Sequence, residues 1–210
     1  VSRMTIGNVF INCPYDKDYE SSLHAIIFTC IALDLNPILS KIDSYNSIRI
    51  KNIEECIRNS CISIHDLSIM GSSENSRYNM PLEIGMSIMY YFLKSKEHKI
   101  IILEPETYLT QKCCSDLNAF DPILYKKEDG IEGLINCLAE SILNIIGQRG
   151  KLEPYEIFNL YLEFETYLYD NKIKGKTLNS MREHMKNFIN EHLVTKHELN
   201  NKSLIIVNGY

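Results

Sequence analysis

Tryptophan is absent from this chain of 210 residues. So are the short motifs that announce common chemistries. There is no Gly-x-Gly-x-x-Gly, no phosphate-binding P-loop, no His-Glu-x-x-His and no Gly-x-Ser-x-Gly. Dehydrogenase, P-loop NTPase, zincin and common serine-hydrolase readings lose support accordingly. No apolar run reaches the ~18–20 residues that a membrane helix needs. The start, "VSRMTIGNVFINC", lacks the charged, apolar and small-residue order of a signal peptide. No excess of basic charge exists either: the net charge is −5, with Lys and Arg scattered, so nucleic-acid binding is not expected. The seven cysteines are odd in number and none form Cys-x-x-Cys. They read as reduced, mostly buried thiols of a cytoplasmic protein, with no metal site expected. Nor is there an internal repeat or a low-complexity linker.

What is present is an apolar share of 45%, ordinary for a globular protein. Its periodicity alternates. Residues 8–12 ("NVFIN"), 36–40 ("NPILS"), 61–67 ("CISIHDL") and 98–104 ("HKIIILE") read as short buried strands, and 122–127 ("PILYKK") as a fifth. Between them, helical spacing links Leu23, Ile26, Ile27, Cys30 and Ile31, then Ile50, Ile53 and Ile57, then Met80 to Leu93, then 131–146. Alternation of this kind predicts an α/β domain with a parallel sheet of about five strands, flavodoxin-like, over residues 1–148. Ligands in such sheets bind outside the carboxyl ends of the strands. That rule selects "NCPYDKDY", "KIDSYNSIR" and "HDLSIMGSSENSRYNMPLE".

Past "GQRGKLEP" the strands cease. Ile157, Leu160, Tyr161, Phe164 and Leu168 suit one amphipathic helix, and Leu178, Met181, Met185 and Phe188 another, giving a helical extension over 151–210. Tyr155, Phe158, Tyr161, Phe164, Tyr167 and Tyr169 crowd the first of these helices, as core residues or as a subunit interface. The tail "SLIIVNGY" reads as an edge strand or an ordered arm.

Candidate site residues lie in the selected loops. Pro81 suits a helix start, which puts Glu83 in the first turn. There it is either a charge stabilised by the helix dipole or an acid placed where a ligand arrives. Asp66 ends the third strand and points at the crevice or caps a turn; Ser68 caps or bonds a ligand. His65 is more simply a packed histidine. Asn12 and Asp16 are ordinary turn residues beside Pro14, or crevice hydrogen bonders. Tyr15 could stack on a flat ring. Arg49 is a phosphate-binding fork or a solvated surface charge. Asn79 precedes the Met80-Pro81 pair.

Three segments, in order, carry a resemblance. "NVFINCPYDKDYESSLHAIIF", "IKNIEECIRNSCISIHDLS" and "NSRYNMPLEIG" resemble the first strand and helix, the second helix and third strand, and the glutamate-bearing helix start of Toll/interleukin-1 receptor (TIR) domains. "VFINCPYD", "IHDLS" and "NMPLEIG" look closer still to a bacterial TIR-like group of stand-alone proteins. The likeness covers about residues 8–146. It implies that Glu83 is the catalytic glutamate of an NAD glycohydrolase, with NAD as substrate and no cofactor. It implies a gating and assembly loop at "SKIDSYNSIRI", a homo-oligomer or partner defence protein, and a role in antiviral defence with a linear or cyclic ADP-ribose product. Asn12, Asp66 and Ser68 would then hydrogen-bond the ribose. Asn79, Met80 and Pro81 stand where a typical TIR domain has Trp-Cys. In this the chain looks closer to nucleoside 2-deoxyribosyltransferases, whose glutamate attacks the sugar. A non-enzymatic nucleotide-sensing or assembly module is the third alternative.

Overall fold

A computed structural model describes residues 7–40, 48–68, 79–93, 97–147 and 151–207, the side chains of Cys113 and of 194–207 excepted. The chain divides into two compact units, Val1–Phe158 and Asn159–Tyr210. The division falls inside a helix, Pro154–Asp170, that follows the 148–151 boundary read from the sequence.

The first unit is an α/β domain. In chain order it runs β1 (Asn8–Asn12), α1 (Glu20–Ala32), β2 (Asn36–Ile38), α2 (Arg49–Arg58), β3 (Ile62–Asp66), α3 (Asn79–Leu93), β4 (Lys99–Glu104), α4 (Leu109–Cys113), β5 (Ile123–Leu124) and α5 (Gly130–Ile146). The strands form one sheet in the order β2-β1-β3-β4-β5. All pairings are parallel. This is the flavodoxin-like order, in which the chain reverses direction between β1 and β3 and a crevice opens at their carboxyl ends.

Apolar burial explains the layers. Phe10 of β1 packs with Ile53, Cys56 and Ile57 of α2, against Met86 and Tyr90 of α3. Leu67, Ile84, Ile102, Leu109 and Leu117 make a second cluster under α3 and α4. On the other face α1 packs with α5. α1 buries Leu23, Ala25, Ile26, Ile27, Phe28, Thr29 and Cys30, so it is apolar all round, as an enclosed helix must be.

Strand alternation sorts β3. Successive side chains of a strand point to opposite faces. Ser63 and His65 therefore share the face towards α3, where His65 meets Ser87 and Ser63 meets His65 and His98. Asp66 faces the other layer, towards Tyr19 before α1 and Tyr125 before α5.

Several sequence expectations need correction. β2 ends at Ile38 and β5 shrinks to two residues. α4 and a 3-10 turn over Ser115–Phe120 were not expected; both are too short for a periodic signal. α3 is described from Asn79, which makes Glu83 its fifth residue, just past the first turn. All six cysteines whose side chains are described are free; Cys13, Cys30 and Cys56 are buried, but Cys61 is exposed.

In the second unit the rest of α6 (Pro154–Asp170) meets α7 (Leu178–Val207). Tyr161, Phe164 and Leu168 are buried, as are Met181, Met185, Phe188 and Ile189. Phe164 and Phe188 meet edge to face at 5.3 Å, and His192 lies 4.0 Å from Phe188. Tyr155 and Tyr169 of the aromatic set remain exposed. Residues 203–207, expected as strand or arm, continue α7, while 208–210 lie outside the described residues.

Phe10 is fully buried and also meets the His65 ring edge to face at 6.1 Å. Phe10→Ala is expected to cost about 3–5 kcal/mol, the range for a large aromatic removed from a packed core. Urea unfolding measures this, and a loss below about 1 kcal/mol would contradict the core assignment.

Candidate functional site

Glu83 projects from the buried face of α3, with 6% of its side chain exposed. Its Oε1 receives Arg49 Nη2 at 3.4 Å from the first turn of α2, and the Arg49 side chain is 65% exposed. Burial raises the Glu83 carboxyl above the usual carboxylate range, and the Arg49 guanidinium partly opposes that rise. The acid therefore does not cap the helix. It sits one turn inside and is charge-paired from a neighbouring element.

Asn12 occupies the last position of β1, paired in register with His65 of β3. Its Nδ2 lies 3.0 Å from His65 Nδ1 and donates to the Met80 carbonyl at 3.3 Å. The buried His65 ring also reaches Ser63 Oγ and Ser87 Oγ, at 3.0 and 3.1 Å. Burial lowers its pKa to about 3, so the ring is neutral.

Asp66 is fully buried and its carboxylate is engaged by protein donors. Tyr19 and Tyr125 both donate to Oδ2, at 2.5 and 2.8 Å, and the Ser68 backbone N–H donates to Oδ1 at 2.7 Å. Burial raises the Asp66 pKa against the lowering effect of these donors. The Ser68 hydroxyl itself is buried without a well-formed hydrogen bond among the described residues.

Tyr15 is half-buried after β1, and its hydroxyl pKa is raised by burial first, then by Cys13 and Glu83, with Arg49 opposing. It therefore belongs to the Glu83 neighbourhood. Asp16 precedes a short 3-10 turn, where its carbonyl accepts the Tyr19 N–H at 3.0 Å. Asn79 is exposed at the start of α3. Of the expected residues, Glu83, Arg49 and Tyr15 are thus coupled electrostatically. Asn12 supports the helix that carries Glu83, and Asp66 and Ser68 form a separate structural knot.

Cys13 was not singled out in the sequence. It is buried directly after β1, and burial raises its thiol pKa first, followed by Asp66 and then Glu83. It lies within electrostatic reach of both carboxylates. Its place in "NCPYDKDY", at a strand's carboxyl end, was the available signal.

A separate open groove of about 690 Å³ runs along β5 and α5. Glu128, Asp129, Glu132 and Glu140 outnumber Lys126 along it, which suits it poorly to anions. Among the described residues no group of three His, Cys, Asp or Glu converges as a metal site requires. No described helix is long and apolar enough to cross a membrane.

No protein-family model matches this chain, and no curated protein matches it. The likeness to TIR domains rests on the three sequence segments alone.

Tyr125→Phe removes one donor from a buried carboxylate and is expected to cost about 1–3 kcal/mol at neutral pH. The folded-state pKa of Asp66 already lies above its unfolded value. Losing a donor raises it further, so the deficit shrinks as pH falls and the folded state takes up the proton. Urea unfolding at neutral and acidic pH tests this; a deficit that grows on acidification would contradict the Asp66 knot.

Proposed function

We propose that the crevice at the carboxyl ends of β1 and β3 hydrolyses an N-glycosyl bond of a nucleotide, with NAD as the favoured substrate and Glu83 as the acting carboxylate. The observation that supports this reading is a buried carboxylate, raised in pKa, paired with an exposed arginine beside the switch point of the sheet.

The chemistry suits such a group. The bond between the ribose carbon and nicotinamide breaks, and its electron pair leaves with nicotinamide, cancelling the pyridinium charge. Little acid assistance is then needed. The ribose carbon becomes cation-like, and a fixed carboxylate in a poorly solvated site opposes that charge. Water adds to the carbon and loses a proton, giving ADP-ribose. Arg49 offers a planar fork of donors for a diphosphate. Its guanidinium is exposed while its partner is buried, so it can turn to an arriving anion. Tyr15 supplies a neutral hydroxyl and a ring beside the same carboxylate.

A second reading has the carboxylate attack the sugar, as in the deoxyribosyltransferases that the sequence also resembles. The lack of any tryptophan, and Asn79-Met80-Pro81 in place of Trp-Cys, favour it.

Purified protein incubated with NAD and with a panel of deoxynucleosides, its products separated by chromatography, distinguishes the two readings. Nicotinamide release is expected, and Glu83→Gln is expected to reduce it at least ~100-fold. The same substitution should leave Tm unchanged or raise it. A carboxylate whose folded pKa is raised loses stability as pH climbs past its unfolded pKa, and glutamine avoids that loss. Arg49→Gln should raise KM for NAD more than it lowers kcat. Free base from deoxynucleosides with NAD intact would overturn the first reading in favour of the second. Turnover that survives Glu83→Gln would remove both.

A further inference from the structure

Between the sheet and α3 lies a buried polar chain whose hydrogen-bond direction is fixed at both ends by backbone carbonyls. At one end His98 Nδ1 lies 2.9 Å from the Ser60 carbonyl. A carbonyl only accepts, so Nδ1 carries the proton. Burial lowers the His98 pKa and keeps the ring neutral, so Nε2 is an acceptor, and its neighbour at 3.0 Å, Ser63 Oγ, must donate to it. Having given its one proton, Ser63 Oγ must accept from His65 Nε2 at 3.0 Å. The same Nε2–H is shared with Ser87 Oγ at 3.1 Å. At the other end the Met80 carbonyl requires Asn12 to present its Nδ2, and that same nitrogen faces His65 Nδ1. His65 Nδ1 is therefore the acceptor. Both ends demand the same state of His65: neutral, with the proton on Nε2.

This chain grips α3 twice. Through Asn12 it holds Met80, three residues before Glu83. Directly it holds Ser87, four residues after. Residues three and four apart share a helix face, and Met80, Glu83 and Ser87 are all buried on it.

We propose that His65 is the positioning residue for Glu83, pinning α3 to the sheet one turn either side of the carboxylate and so fixing where that carboxylate meets the crevice. The functional half of this inference rests on the reading of Glu83 as the acting group; the pin itself does not. A proton on Nδ1 would face the Asn12 amide donor and break the grip on Met80. Burial, and then His98, hold the His65 pKa near 3, which makes the pin a fixed support at neutral pH.

The test combines three readouts on the full chain. Nitrogen-15 imidazole spectra are expected to show His65 protonated at Nε2 alone, unchanged between about pH 5 and about pH 8. A protonated Nδ1, or titration in that range, overturns the proposal. In His65→Gln and in the milder Ser87→Ala, amide exchange from Met80 to Ser87 is expected to quicken by about tenfold while β4 keeps its protection. Uniform acceleration, or none, would reduce His65 to general packing and overturn it. In Ser87→Ala, kcat should fall by about tenfold with KM little changed. An inactive wild type with the expected spectra and local exchange would leave the pin standing and count against the glycohydrolase reading instead. Ser87→Ala turnover equal to wild type would break the link between pin and carboxylate.

Discussion

A carboxylate taken out of water needs donors or a cation in place of the water it loses. Asp66 and Glu83 meet that constraint in opposite ways, and the arrangement of the crevice follows from the difference. Asp66 is surrounded by Tyr19, Tyr125 and the Ser68 N–H, so its charge is spent on joining the turn before α1 to the segment after β5. Glu83 is matched by a guanidinium that stays 65% exposed and touches it at 3.4 Å. One acid is bound into the fold. The other is held in a weaker pairing that a ligand can exchange.

The two acids are separated by the geometry of one strand. His65 and Asp66 are adjacent in β3, yet alternation sends His65 to the α3 layer and Asp66 to the α1 and α5 layer. Neutral polar groups then line the side that carries Glu83: Asn12, His65, Ser63, Ser87 and His98 in one buried chain. A protonated imidazole there would add an uncompensated buried charge. The depressed pKa of His65 is the electrostatic form of that same constraint. Cys13, raised first by burial and then by both carboxylates, remains a thiol for a related reason.

Much of the α/β unit was legible in the sequence. β1 matches the run "NVFIN" residue for residue, and the helices built on Ile53 and Ile57, or on Leu134, Leu138 and Ile142, follow ordinary apolar periodicity. The short elements between β4 and β5 were not legible, because five or six residues carry no readable period. Glu83 could be picked out, but its depth in α3 could not: Pro81 fits the third position of a helix as well as the first, since the first four N–H groups lack partners anyway. Partners across the fold were the least visible. Nothing local in "IHDLS" reveals that Asp66 meets Tyr19 and Tyr125, which lie 47 and 59 residues away.

Everything proposed for the crevice depends on Glu83 being a buried, weakly paired carboxylate. Its own titration is the most direct measurement. Carbon-13 labelling of the glutamate side chains, with Glu83→Gln to assign the resonance, would follow it with pH in the wild type and in Arg49→Gln. A midpoint above the ordinary glutamate value of 4.5, rising further once the guanidinium is removed, is the expected result. An ordinary midpoint that ignores Arg49→Gln would place Glu83 in solvent, and the crevice would lose the group on which its chemistry depends.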